Sequence, residues 1–219
     1  RILLTVMLLT ATLAGNPALG ESAQPGTLTD MKGREIQLNA PATRVVALAA
    51  SDCEILYALG AGDTLVGRGE YCDFPDEVTA VPAVQSGSET NIEQILALNP
   101  QAVIMDTMAQ AKDQVAALEA AGIAVVVTDA QTIEGTYTAI TLIGAVTGRT
   151  AEAETLVNGM KTTFADIAAK VTPNSGKTVY FEVSPLQWGL WTAGSGTFMD
   201  EVANLLGLTN AFADVQGWG

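Results

Sequence analysis

Five aromatic residues standing outside any periodic stretch offer the clearest chemistry in this 219-residue chain: Tyr71, Phe74, Trp188, Trp191 and Trp218. All three tryptophans are among them, and each lies close to Gly or Pro. Aromatics on helix or strand faces build cores, whereas those in loops present a flat apolar surface with a polar edge to a ligand. The competing role, rings folded back over their own lobe, is weaker because these loops come from both halves of the chain. Acidic groups are plentiful but scattered. Asp52, Glu54, Glu70, Asp73 and Glu77 flank the early loops, and a secreted enzyme using Asp52 and Glu70 is the enzymatic reading. Its mark would be two converging carboxyl groups, one with a raised pKa. Gly194-Ser195-Gly196 precedes a helix and could turn backbone N–H groups toward an anion, but no Lys follows, so a flexible turn is the better reading. Cys53 and Cys72 form a pair with one possible connectivity. Both follow strands, so a disulfide between them is expected, with two buried free thiols as the alternative.

Composition narrows the choice. The chain holds 24 acidic and 10 basic residues and no His, for a net charge of −14. Without His there is no Ser-His-Asp triad, no Cys-His dyad and no His-ligated zinc or haem. Neither a phosphate-binding GxxxxGK[ST] loop nor GxGxxG, CxxC, HExxH or GxSxG occurs. The acidic surplus excludes nucleic acid and anionic membrane as partners, since both select basic surfaces. Apolar residues make up 48% of the chain, enough for a folded core.

Residues 2–14, behind Arg1, form an apolar run of about a dozen residues, too short to span a bilayer, which takes ~20. Ala18 and Gly20 occupy the small-residue positions before Glu21, so residues 1–20 read as a secretory signal peptide. Export places the cysteines in an oxidising compartment. Arg1 is the single charge of that segment, and the remainder carries −15. No Cys follows the apolar run to take a lipid, so a periplasmic protein without an anchor is expected.

The elements that must position these residues alternate. A hairpin over Thr27–Leu38 turns at Met31–Arg34. Strands at Arg44–Ala49, Leu65–Gly67, Ala102–Met105 and Ala124–Val127 alternate with helices at Asp52–Leu59, Asn91–Leu98 and Gln110–Ala121. Ser51 with Glu54, and Thr90 with Glu93, have capping-box spacing. Glu70–Thr90 shows no period and reads as a surface loop. Two helices follow, Thr132–Thr147 and a long Thr150–Val171. Pro173–Gly176 breaks the chain before a strand at Lys177–Val183 and a helix at Thr197–Leu206. Strand–helix alternation means a parallel sheet covered on both faces. The expected organisation is a signal peptide (1–20), an N-terminal α/β lobe (21–149), a connecting helix (150–171) and an incomplete C-terminal α/β lobe (172–219), since one βα unit cannot cover both faces of a sheet.

Several stretches together carry a resemblance: TDMKGREIQL, RVVALAASDCEILYALGAGDTLVGRGEYCDFP, NIEQILALNPQAVI, LEAAGIAVVV, AVTGRTAEAE and GLWTAGSGTFMDEVANLLGLTNAFAD. The chain resembles, over about residues 27–219, the periplasmic substrate-binding proteins of ABC importers for iron complexes and cobalamin. The resemblance implies two Rossmann-like lobes with mainly parallel sheets, joined by one long helix, with cargo held between them. It implies a non-enzymatic monomer without an intrinsic cofactor or metal site. Its cargo would be an iron or cobalt chelate, a ferric siderophore or corrinoid, with haem as the alternative. Its partners would be an inner-membrane permease and ATPase. Tyr71 matches the cleft aromatic after the second strand, and Trp218 a cleft aromatic of the second lobe. Trp188 and Trp191 join them as ligand-binding candidates. Glu93 matches the exposed glutamate that meets an arginine pocket on the permease, its second-lobe counterpart lying beyond Gly219. Arg68 is a lone arginine where catecholate binders cluster several. Gln85 opens the stretch where haem binders place Tyr and cobalamin binders Trp; both Arg68 and Gln85 are counted among the ligand-binding candidates. A module whose Trp loops grip a protein partner is the remaining alternative, marked by a flat patch without a cleft.

Overall fold

The computed structural model describes residues 26–87, 90–106, 112–171 and 175–219. The signal-peptide segment, the expected helix start at Gln110 and the Pro173-Asn174 break lie outside them. The chain opens with an antiparallel hairpin, β1 (Gly26–Thr29) and β2 (Glu35–Leu38), turning through Gly33 at φ 75°. There follow β3 (Val45–Ala47), α1 (Ala50–Ala58), β4 (Leu65–Gly69), β5 (Ala83–Val84), α2 (Ile92–Ala97), β6 (Ala102–Asp106), α3 (Lys112–Ala120) and β7 (Ala124–Thr128). These five strands form one parallel sheet in the order β5-β4-β3-β6-β7.

Strand alternation explains the layers. Val45 and Ala47 of β3, Ala102 and Ile104 of β6 and Val126 of β7 face α1, α4 (Ile133–Thr147) and α5 (Thr150–Ala168). Val46 and Leu48, Val103 and Met105, and Val125 and Val127 face the other way, toward α2 and α3. A strand covered on both faces must be apolar at every position, as VVAL and AVIM are. Gly148, at φ 71°, ends α4 in the left-handed region and allows α5 to fold back against it.

The hairpin closes one edge of this sheet. Asp30 is buried, and its Oδ1 accepts the N–H groups of Lys32 and Arg34, both at 2.9 Å. Its Oδ2 accepts Arg34 Nε at 2.9 Å and the N–H of Val127 at 3.2 Å. Met31 N–H reaches Val127 O at 3.1 Å, and Arg34 Nη2 reaches Val125 O at 3.0 Å. The outward polar groups of edge strand β7 are thereby paired, which protects an edge that would otherwise recruit another chain.

After α5 a smaller unit follows: β8 (Thr178–Val179), α6 (Phe198–Leu205) and β9 (Thr209–Asn210), with β8 and β9 parallel. Several expected details change. The strand expected over Lys177–Val183 is held to two residues, because β9 offers partners to those alone. Ser51 does not cap α1: the helix begins at Ala50, leaving Ser51 inside the first turn. Thr90 gives its hydroxyl to Gly87 O, and the cap of α2 is Asn91, whose side chain accepts from Gln94 N–H at 3.0 Å. The stretch Glu70–Thr90 is more ordered than a bare loop, with a 3-10 turn at Asp76–Ala80 and edge strand β5.

One buried charge stands apart. Asp52, in the first turn of α1, is 1% exposed and accepts the Thr128 hydroxyl at 3.0 Å. Burial, with a smaller push from Asp106, outweighs that hydrogen bond and raises its pKa from 3.8 to about 7. The folded chain therefore holds a proton that the unfolded chain releases between about pH 4 and 7. Stability falls over that window as pH rises, by on the order of 4 kcal/mol for a shift of this size. Asp52→Asn, which keeps the shape without the charge, should raise the denaturation midpoint at pH 8 and leave it nearly unchanged at pH 4. Equal midpoint shifts at both values would contradict this. Asp30→Ala strips four donors of their acceptor and should cost about 2–3 kcal/mol in urea unfolding.

Candidate functional site

In the sheet order β5-β4-β3-β6-β7 the chain runs outward from β3 in one direction and then restarts at β6 in the other. The loops leaving β3 and β6 therefore diverge and leave a crevice at the carboxyl ends of the strands, the position where open α/β sheets take ligands. A cavity of about 360 Å³ lies there. Ser51 and Asp52 enter it from the start of α1, Asp106 from the end of β6, and Thr128 and Asp129 from the end of β7. Phe198, the first residue of α6, closes it from the C-terminal unit. Among the described residues three carboxyl groups and no Lys or Arg line it. Lys32 engages Asp129 at 2.6 Å from the hairpin side.

The two units also meet through Glu201, one turn along from Phe198. Its carboxylate accepts the Ile133 N–H at 2.7 Å, at the N-terminus of α4. A negative charge at a helix N-terminus satisfies an otherwise orphaned donor and complements the helix dipole.

The expected ligand aromatics are exposed but not gathered into this cavity. Tyr71 is 75% exposed just after β4, Trp188 is 73% exposed at a 3-10 turn, and Trp191 and Trp218 are half exposed. None of the four is among the residues lining the cavity. Trp218 is held by an antiparallel bridge to Ala193, and Trp191 O accepts Val183 N–H, so these loops are tethered through backbone while their rings face outward. Arg68 lies beside the cleft, but its guanidinium is engaged with the carbonyls of Val81, Gly69 and Glu70. Gln85 is exposed, and its backbone joins β5 to α2 through Gln94 and Asn91. Glu93 projects from the exposed first turn of α2.

Glu70 is exposed and is not part of the cavity lining, so the Asp52–Glu70 pair does not form there. The raised pKa belongs instead to Asp52 beside Asp106. Sequence reading overlooked Asp106, Thr128 and Phe198; the rule that ligands sit at strand carboxyl ends would have drawn attention to the first two. The disulfide expected between Cys53 and Cys72 is not formed in this structure: both are free thiols, fully buried and in contact with each other. That contact and burial raise the pKa of Cys53, while the same contact lowers that of Cys72. Among the described residues no group of three or more His, Cys, Asp or Glu is placed to hold a metal ion, and no helix is long and apolar enough to cross a membrane.

Comparison with known proteins matches this geometry. Residues 45–218 fit the model of the periplasmic binding protein family. An uncharacterized ABC transporter substrate-binding lipoprotein of Bacillus subtilis, YvrC, is 34% identical over 93% of this chain and 69% of its own length. The vitamin B12-binding protein of Salmonella typhimurium is 31% identical over 79% of this chain and 64% of its own length, so the chain spans about two thirds of such relatives. A possible iron-binding periplasmic protein from Staphylococcus epidermidis superposes with a TM-score of 0.72 at 30% identity, covering 81% of this chain and 70% of that one. The haem-binding protein HutB of Vibrio cholerae superposes with a TM-score of 0.73 at 25% identity, covering 80% and 68%. With a parallel-sheet unit, a long helix and a second βαβ unit meeting at the strand carboxyl ends, the chain belongs to the periplasmic binding protein family.

Proposed function

We propose that this chain is the extracytoplasmic receptor of an ABC importer, taking a metal chelate in the cleft between its two units and delivering it to a membrane permease. The family match over residues 45–218 carries this reading. The relatives support the chelate class: one is named for vitamin B12, one for haem and one for iron. Four exposed loop aromatics supply the flat apolar surface that a macrocycle or aryl chelate requires.

Charge chooses among the chelates. Among the described residues the cavity is lined by Asp52, Asp106 and Asp129, with Lys32 paired to Asp129 at 2.6 Å, and the Arg68 guanidinium is committed to backbone carbonyls. This acidic balance disfavours haem propionates and anionic siderophores, which would lose their water beside like charges. A neutral chelate rich in amide donors, such as a corrinoid, fits acidic acceptors better. The enzymatic reading has one observation in its favour, the raised pKa of Asp52. Against it, that carboxyl is 1% exposed and hydrogen-bonded to Thr128, and the relatives are binding proteins.

Titrating the full-length protein with cyanocobalamin should quench tryptophan fluorescence with saturation at one equivalent. Haemin and a ferric catecholate should bind at least tenfold more weakly. Absence of quenching by all three would overturn the receptor reading; tighter haemin binding would overturn the charge argument alone. The exposure of Glu93 on α2, away from the cavity lining, supports the proposal that it is the permease contact. Glu93→Ala should leave chelate affinity within twofold of the parent yet cut uptake in reconstituted vesicles by tenfold or more. Loss of chelate binding in that variant would assign Glu93 to the cleft instead.

A further inference from the structure

We propose that Cys53 and Cys72 are joined by a disulfide in the exported protein, and that this bond staples α1 to the turn presenting Tyr71. The proposal rests on the extracytoplasmic location argued above, since such bonds persist in oxidising compartments.

The two sulfurs are brought together by backbone geometry. Cys53, in the first turn of α1, places its Sγ 3.6 Å from Ala47 O. Cys72 comes from the far side of β4 and places its Sγ 3.9 Å from Leu48 O. Both thiols lie at the end of β3 in the same core cluster and contact each other there. Gly69 makes the approach possible: a Cβ there would collide with the Leu48 carbonyl. Cys72 N–H then bonds Gly69 O at 3.1 Å, closing the turn that exposes Tyr71 at its tip. Neither thiol has a metal partner or a solvent-facing task among the described residues.

The chemistry balances with a disulfide oxidant of the thiol–disulfide oxidoreductase class, acting before the core closes. Cys72 as thiolate attacks one sulfur of the oxidant, forming a mixed disulfide and releasing the oxidant's first thiolate. Cys53 then gives up its proton and attacks the Cys72 sulfur, expelling the second thiolate. Two thiols of this chain become one disulfide, and the oxidant leaves as a dithiol. The bond closes a loop of about 20 residues, restricting the unfolded chain and holding the turn that carries Tyr71 against α1.

The test uses two preparations of the full-length protein. The first is isolated from the periplasm of an expressing bacterium without reductant; the second, lacking residues 1–20, is taken from the cytoplasm and treated, folded or refolding, with glutathione disulfide. Each is denatured and alkylated with N-ethylmaleimide. The expected result is no adduct on either cysteine in both preparations, two adducts after prior reduction, and a cross-linked peptide holding Cys53 and Cys72. Reduction should lower the melting temperature by about 5–10 °C and speed amide exchange over residues 69–75 at least tenfold. Two adducts in the glutathione-treated sample would overturn the pairing. A bond formed there, with free thiols in correctly exported protein, would overturn its physiological formation. Cell fractionation of the first preparation reports separately on export; should that chain stay cytoplasmic, the glutathione sample still decides the pairing.

Discussion

Everything in the N-terminal unit depends on β3 being paired on both edges and covered on both faces. Its neighbours are β4 and β6, both parallel to it, so each connection must cross over through a helix, α1 between β3 and β4 and α2 on the way into β6. Full coverage demands an unbroken apolar strand, and it also removes the strand faces as places for chemistry. Polar function is displaced to the carboxyl ends of the strands, where chain direction changes and backbone groups are free to turn. Asp52, Asp106 and Thr128 occupy that rim. The cavity is thus a consequence of the sheet order before any ligand is considered.

The rim is held under electrostatic tension. Asp52 is withdrawn from water with one hydroxyl donor, and Asp106 lies close enough to oppose its ionisation. A purely structural site would carry a neutral residue there at lower cost. The Glu201 carboxylate, by contrast, is placed where its charge is welcome, at the N-terminus of α4. The two units are therefore joined by α5 and by a favourable charge–dipole contact beside the cavity, a geometry compatible with small closing motions around a rigid helix.

How much of this the sequence revealed follows from the range of each interaction. Local, periodic signals carried through: the apolar run of β3, which the fold divides between two core faces, and the extents of α4 and α6 to within a residue or two. Caps chosen among adjacent polar residues did not, because Thr90 and Asn91 both suit the position and only the path of the β5–α2 connection selects Asn91. Contacts across long separations were invisible: Asp30 with Val127, and Asp52 with Thr128, join residues 97 and 76 positions apart. The loop aromatics were legible as exposed, yet their grouping was not, since composition reveals that a ring lacks a helical or strand face but not which way its loop points.

The same distinction bears on what the aromatics do. A core ring is fixed by many neighbours, so its substitution is felt first in stability. Tyr71 and Trp188 have most of their surface in water, so the fold gains little from them, and their apolar area remains available for a ligand to bury. Leu186 and Leu190, neighbours of Trp188 and Trp191 in the chain, are also exposed, at 69% and 70%. Under the proposed receptor role these exposed rings, rather than the buried Asp52, are the surface that a flat cargo would cover.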